Sequence, residues 1–210
     1  MKKVVLDLCG GTGSWSDPWR SAGFTVLLVT LPFYDVRKTT WDDTHFWFIS
    51  ADEKDVVKVL KKDVVGVLAA PPCTHFSRAR TTAKTPRDFD GAMEIVHACL
   101  GIIWEARKCG SLQWWALENP MGLLRQFLGN PPHSFRGYEY GDRHVKFTDI
   151  WGYYVMPTPT HKKPRTFNRK KWASPRKPKQ YEHLKLSRAD IRAITPAKFA
   201  EAFYRANKPK

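Results

Sequence analysis

Val4-Val5-Leu6-Asp7-Leu8-Cys9-Gly10-Gly11-Thr12-Gly13 is an apolar run that passes directly into a glycine-rich turn. The run predicts a buried strand, and the glycines permit a tight reversal into a helix. At the carboxyl edge of a parallel sheet such a turn holds nucleotide-like ligands, although a turn without any ligand has the same pattern. The turn lacks the Lys-Ser/Thr pair of a phosphate-binding loop, and Asp7 is placed to accept hydrogen bonds from a cationic ligand, such as a methionine amino group.

The rest of the first half alternates short apolar runs with longer amphipathic ones. Residues 25–31, 64–69 and 112–117 are predicted strands, and 47–50 is a candidate further strand. Residues 52–62 and 88–108 have the spacing of helices. This alternation predicts an α/β fold with a mainly parallel sheet flanked by helices.

The composition changes after this α/β region, which we place at 1–156. Residues 157–186 are rich in proline, lysine and arginine, so we expect a basic loop or extended arm there. Residues 187–210 have a helical pattern, and we expect this C-terminal helix to pack on the first region.

The chain is strongly basic, with a formal net charge of +15 at pH 7 and a pI near 9.8. Such charge favours nucleic acid as the partner, although anionic membrane surfaces attract the same residues. No apolar run is long enough for a membrane span, and no secretory signal is visible. The four cysteines form no CxxC pair, so we expect neither a metal site nor a disulfide framework, and we place the chain in the reducing cytoplasm. We also expect a monomer.

The sharpest local feature is the turn Pro71-Pro72-Cys73, which follows the run at 64–69. Two prolines stiffen the backbone and so hold the thiol at low entropic cost. His75, Arg78 or Arg80 nearby would favour the thiolate. A small buried cysteine in a turn is an equally good interpretation of this segment taken alone.

A second polar turn, Glu118-Asn119-Pro120, ends the predicted strand at 112–117. If that strand neighbours the one before Cys73, Glu118 faces the same crevice and, when desolvated, can keep its proton. Taken alone, Glu118 is better explained as a salt-bridged surface residue.

Together and in this order, these segments resemble the cytosine-C5 methyltransferase family. Residues 7–13 resemble its first cofactor motif, residues 71–77 its Pro-Cys catalytic loop, and Glu118-Asn119-Pro120 its Glu-Asn-Val motif. Residues 143–148 resemble the basic motif that contacts the target base, and residues 192–200 distantly resemble a late motif of the family. Asp52 follows the candidate third strand, where the family places an acid against the adenine of its cofactor.

The chain departs from the family at three points. The second strand ends in Thr30-Leu31-Pro32 without the acid that contacts the ribose, and Asp35 is the candidate substitute. A closing Gly-Asn-Ser-Val segment is missing, and the basic segment 157–186 is the only candidate for target recognition. We therefore expect loose sequence specificity, as in a small phage-like enzyme.

The resemblance implies a Rossmann-like catalytic domain over 1–156 that binds S-adenosylmethionine. It implies Cys73 as the covalent nucleophile on cytosine, Glu118 as the acid on the base, and Arg143 or Lys146 at the base carbonyl. The implied cofactor residues are Asp7, Cys9, Gly10, Gly11, Thr12, Gly13, Trp15, Asp35, Asp52 and Pro71. The implied nucleic-acid contacts are Ser77, Arg78, Arg80, Lys162, Lys163, Arg165, Arg169, Lys170 and Lys171.

Three alternatives remain open at the level of sequence. The substrate is DNA or, as for one branch of the family, tRNA. The group transferred to C5 is methyl or a larger one. The chain is an enzyme or a non-catalytic nucleic-acid binder that keeps the fold. The missing acid and the missing closing segment favour the non-catalytic binder.

Overall fold

The computed structural model describes residues 3–81, 83–143, 145–162 and 177–209. Its strands are β1 (Val4–Leu8), β2 (Thr25–Val29), β3 (Thr40–Trp41), β4 (His45–Ile49), β5 (Val56–Leu60), β6 (Val64–Ala69), β7 (Trp114–Pro120), β8 (His133–Arg136) and β9 (Phe147–Tyr153). Its α-helices are α1 (Asp17–Ser21), α2 (Phe89–Lys108), α3 (Arg125–Leu128), α4 (Arg188–Ala193) and α5 (Ala197–Asn207). None of the helices in these ranges is both long and apolar enough to cross a bilayer.

The main sheet has six strands in the order β2-β1-β6-β7-β9-β8, and helices flank it. β2, β1, β6 and β7 are mutually parallel, whereas β9 runs antiparallel to both β7 and β8. The predicted α/β class is confirmed, and the six-stranded sheet is mixed, because β9 runs opposite to the other five strands. β8 and β9 are joined by a short connection without a crossover helix, and such a connection can only join antiparallel neighbours.

The prediction of a helix at 52–62 is wrong. Val56–Leu60 is a strand, and it pairs with β4 in a separate three-stranded antiparallel sheet with β3. Val57 and Val59 are its more buried positions, so the period is two, as in a strand. Glu53 has a φ of +62°, which a helix does not accommodate. The candidate strand at 47–50 exists as β4, but it belongs to this small sheet and not to the main one.

Helix α2 confirms the prediction over 88–108 almost to the residue. The Asp88 side chain caps it by accepting a hydrogen bond from the Gly91 backbone N–H. Its buried positions, including Val96, Cys99 and Ile103, recur at helical spacing and join the core on one face of the sheet. Trp104 has a place in the same helical spacing, but its side chain is 60% exposed.

The other face of the sheet is covered largely by aromatic side chains. Phe199 and Phe203 of α5 are buried against Trp15, and Phe203 also packs on Trp19 and Trp114. The C-terminal pattern at 187–210 folds as two helices, α4 and α5, rather than one, because Ile194 and Pro196 adopt non-helical backbone between them.

Candidate functional site

The glycine-rich turn leaves the carboxyl end of β1 in a tight, left-handed path. Cys9 and Gly11 have φ values of +58° and +57°. A Cβ at Gly10 would lie 2.1 Å from Oδ1 of Asp7, so only glycine fits there without displacing that carboxyl group. The turn is therefore built around Asp7.

Asp7 is fully buried and only partly hydrogen-bonded. Its Oδ2 accepts a bond of 2.5 Å from Ser16 Oγ, while Oδ1 has no hydrogen-bond partner among the described residues. Burial raises the pKa of Asp7 to about 6, although the hydrogen bond from Ser16 and the charge of Arg20 work in the opposite direction. An unpaired buried oxygen is costly, and this one lies at the wall of a cavity, where a ligand can satisfy it.

A cavity of about 380 Å³ lies at this edge of the main sheet. It has the size of a small-molecule site. Of the residues predicted to bind a cofactor, those that line it are Asp7, Cys9, Gly10, Gly11, Thr12, Trp15 and Pro71. Cys73, Glu118 and Lys146 line it as well. The turn after β1, the ends of β6 and β7 and the segment before β9 thus meet around one space.

Three of the predicted cofactor residues do not line this cavity. Gly13 lies further along the turn. Asp35 forms a two-pronged ion pair with Arg37, which lowers the pKa of its carboxyl group. Asp52 is exposed in the turn between β4 and β5 and accepts a hydrogen bond from Ser50. It lies away from the cavity because the strand before it, β4, belongs to the small sheet. Leu31 and Pro32 stand at the cavity wall after β2.

The Pro-Pro-Cys turn is fixed by hydrogen bonds to the neighbouring turn. Asn119 Nδ2 donates to the carbonyl oxygen of Pro71 over 2.8 Å, and the Leu123 backbone N–H donates to that of Phe76, also over 2.8 Å. Because β6 and β7 are adjacent parallel strands, the residues that follow them are held side by side.

Cys73 is a partly buried thiol in this turn. Burial raises its pKa, as does the nearby charge of Glu118, whereas Lys146 and Arg192 lower it. Two of the side chains expected to favour the thiolate are engaged elsewhere: Arg80 donates hydrogen bonds to Thr85 and to the carbonyl oxygen of Pro86, and the His75 ring accepts one from the Asp88 backbone N–H. Arg78 lines a groove that Cys73 also lines. Lys146 and Arg192, which were not expected to act on this sulfur, lower its pKa.

Glu118 is buried, and the expectation that it is a salt-bridged surface residue is wrong. It is 8% exposed, and its Oε2 has no hydrogen-bond partner in the described part of the chain. Burial raises its pKa, Lys146 lowers it, and Asp149 raises it further. The carboxyl group is consequently suited to hold a proton and donate it into the cavity.

The two basic candidates for contact with a base are placed differently. Lys146 lines the cavity, whereas Arg143 is exposed and lines none of the cavities described. His144 lies outside the described residues.

Sequence reasoning missed much of the C-terminal wall of the cavity. That wall consists of Leu184, Leu186, Asp190, Ala193, Ile194 and Thr195. Ser14 Oγ donates a hydrogen bond of 2.9 Å to the carbonyl oxygen of Thr195, which ties this wall to the glycine-rich turn. The distant likeness of residues 192–200 to a late family motif was the one signal for it.

A larger groove of about 920 Å³ adjoins the cavity, and Cys73 and Lys146 line both spaces. Of the residues predicted to contact nucleic acid, Ser77, Arg78 and Arg80 line the groove. Lys162 is exposed and lines neither space. Lys163, Arg165, Arg169, Lys170 and Lys171 lie outside the described residues.

Over the described ranges, no group of three or more His, Cys, Asp or Glu side chains is arranged to hold a metal ion. The chain matches no model of a known protein family. It also matches no curated protein sequence.

Proposed function

We propose that this protein transfers a methyl group from S-adenosylmethionine to C5 of cytosine in DNA. The observation that carries the proposal is the position of Cys73 and Glu118. Cys73 follows β6 and Glu118 lies near the carboxyl end of the adjacent parallel strand β7, and both line one cavity together with the glycine-rich turn. Covalent addition to a cytosine ring uses a nucleophilic sulfur and an acid on the base, and burial raises the pKa of the Glu118 carboxyl group, which favours that second role.

The residues around the glycine-rich turn fit the proposed cofactor. Asp7 offers an unpaired buried oxygen to an ammonium group, and Gly10 and Gly11 allow close backbone approach. Leu31 and Trp15 supply apolar wall. The order of the parallel strands and the position of the turn support a Rossmann-like assignment for this part of the chain. When bound, S-adenosylmethionine supplies an electrophilic methyl group.

The side chains of this site have complementary tasks in the proposed reaction. The Cys73 sulfur adds to C6 of the cytosine, and the electron pair of the 5,6 double bond moves toward C5. Glu118 donates a proton or hydrogen bond at N3, which offsets the charge that develops on the ring. Lys146 favours the thiolate and lies where it can contact the base. After transfer, solvent takes the C5 proton; the electron pair of that C–H bond re-forms the 5,6 double bond as the C6–S bond breaks. This step releases Cys73 as the thiolate, and N3 returns any proton it took to Glu118.

The test is mass spectrometry of nucleosides from DNA incubated with the protein and S-adenosylmethionine, with RNA incubated in parallel. The expected product is 5-methylcytosine. Cys73→Ser abolishes its formation while leaving binding of S-adenosylmethionine intact, and Cys109→Ser, which replaces an exposed cysteine at the end of α2, leaves it unchanged. Full activity of Cys73→Ser contradicts the mechanism.

A second candidate is a non-catalytic nucleic-acid binder of the same fold. The observation that favours it is that neither Asp35 nor Asp52 lines the cavity, so neither is placed to hold a ribose. Calorimetry separates the two functions: the transferase binds S-adenosylmethionine, whereas the binder shows no heat of binding with it and binds DNA in a salt-dependent way.

A further inference from the structure

The groove beside Cys73 combines positive charge with flat surfaces. The loop after β6 contributes Arg78 and Arg80, and α4 contributes Arg192. Arg136 and Phe147, at the paired ends of β8 and β9, also line it. Arginines from separate elements therefore surround one channel that leads to the candidate nucleophile.

Arg136 and Phe147 form a cation–π contact within the groove. The guanidinium carbon of Arg136 lies 4.2 Å from the centre of the Phe147 ring. The Arg136 side chain is still 40% exposed, and its ion pair with Glu139 is long, at 3.9 Å. Tyr138 lines the same groove two residues further on. Aromatic rings and stacked guanidinium planes are the surfaces on which unpaired bases stack.

We propose that this groove binds an unpaired nucleic-acid strand, with bases beside the target cytosine stacked on the Arg136–Phe147 pair and on Tyr138. The proposal rests on the transferase function above, because it places the target base at Cys73. Phosphates of the strand lie near Arg78 and Arg192, whose charges complement them.

The surfaces that line the groove favour a single strand over a duplex. A base that is already unpaired also reaches a catalytic pocket at the lowest cost, since no pairing is lost. In a duplex whose bases remain paired, the bases stack on one another and cannot stack on these side chains.

The experiment is fluorescence anisotropy with one labelled cytosine-containing oligonucleotide, measured alone and annealed to its complement at the same salt concentration. The variants are Arg136→Lys, which keeps the charge and loses the plane, and Tyr138→Ala. Arg205→Lys is the matched control, because Arg205 is 72% exposed on α5, pairs with Glu201 and does not line the groove. The hydrogen bond from the Arg136 backbone N–H to the Glu139 carboxylate does not involve the Arg136 side chain, so the substitution leaves it in place.

The wild-type chain is expected to bind the single strand at least about tenfold more tightly than the duplex. Arg136→Lys and Tyr138→Ala each weaken single-strand binding by about tenfold, the scale of one lost stacking contact, and Arg205→Lys leaves it unchanged. Tyr138→Phe keeps a ring and restores binding. Equal affinity for the two substrates, or equal loss with Arg205→Lys, overturns the proposal.

Methyl incorporation separates this inference from the function on which it rests. Incorporation into the duplex as fast as into the single strand overturns the inference and leaves the transferase function standing. Preferential single-strand binding with no methylated product supports the groove assignment and contradicts the transferase function.

Discussion

The side-chain amide of Asn119 holds the carbonyl oxygen of Pro71 at 2.8 Å, within the protein interior. This bond joins the end of β7, which carries Glu118, to the turn that carries Cys73. Since Asn119 is 1% exposed, water cannot replace its amide when it is removed. The position of the Cys73 sulfur relative to the Glu118 carboxyl group therefore depends on Asn119, a residue with no direct part in the proposed chemistry.

Asn119→Ala is expected to lower the free energy of unfolding by about 1–3 kcal/mol, the cost of leaving a buried carbonyl unpaired. Its methyl-transfer rate falls by about a hundredfold under conditions where the variant is folded, because small displacements of reacting groups are costly. Urea unfolding and product formation measure the two effects. Asn130→Ala, at an exposed asparagine, is the control for both. An Asn119→Ala protein of normal activity would show that the bond positions nothing.

Asp7 makes the stability of the chain depend on pH. Its pKa is raised from 3.8 to about 6, so the folded state favours the protonated form. The resulting stabilisation is present below 3.8 and is lost as the pH rises through about 6. Asp7→Asn is expected to remove this dependence, so that the variant is the more stable protein at neutral pH. Urea unfolding of both proteins across this pH range tests the sign, and a constant difference between them contradicts it.

Substitution of Asp7 is also expected to weaken the binding of S-adenosylmethionine. At neutral pH the carboxylate is ionised and faces the cavity, so it attracts the ammonium group of S-adenosylmethionine. Calorimetry with Asp7→Asn is expected to give affinity at least about tenfold weaker, the scale of one charged hydrogen bond. Asp35→Asn leaves affinity unchanged, since Asp35 pairs with Arg37 and does not line the cavity. The reverse result would restore Asp35 as the cofactor acid.

Sequence reasoning succeeded where the signal was local. The strands β1 and β6 are apolar runs that end at a Gly-rich or a Pro-Pro turn. Helix α2 is an amphipathic segment that begins at the capping residue Asp88. The adjacency of Cys73 and Glu118 follows from their positions at the carboxyl ends of neighbouring parallel strands, although β7 extends through Pro120 and the turn predicted at Glu118 is part of that strand. The prediction for residues 52–62 failed because Val56, Val59 and Leu60 match a helical spacing, whereas the more buried positions of the strand are Val57 and Val59. Pairing with β4 sets that period of two, and no local pattern reveals it.

The remaining parts of the site are set by contacts between distant residues. The bond from Ser14 to Thr195 joins positions that are 181 residues apart, and no local pattern marks such a contact. Likewise Arg143 and Lys146 are three positions apart in one loop with the same charge. The packing of that loop before β9 turns one toward the cavity and leaves the other in solvent.

Phe203 is expected to be the largest single contributor to stability in α5. It is fully buried between Trp15, Trp19 and Trp114, so Phe203→Ala leaves a cavity and costs about 3–5 kcal/mol. Trp104→Ala is the control, because its side chain is 60% exposed, and the expected change is within about 0.5 kcal/mol. Chemical denaturation gives both values. A small effect at Phe203 would mean that α5 is not held by this aromatic cluster.

Lys146 is expected to control the reactivity of Cys73. Its charge lowers the pKa of the thiol and opposes the effects of burial and of Glu118, so Lys146→Met moves that pKa further upward. Alkylation by iodoacetamide requires the thiolate, so its rate at Cys73 falls at neutral pH and its midpoint shifts to higher pH. Peptide mass spectrometry separates Cys73 from the other three cysteines.

Arg143→Met is the control for Lys146→Met. It removes the same charge from a side chain that lines none of the described cavities, and the alkylation profile is expected to stay at its wild-type position. If Arg143→Met shifts the profile and Lys146→Met does not, the loop before β9 presents the other cation to the sulfur, and the assignment of these two residues must be exchanged.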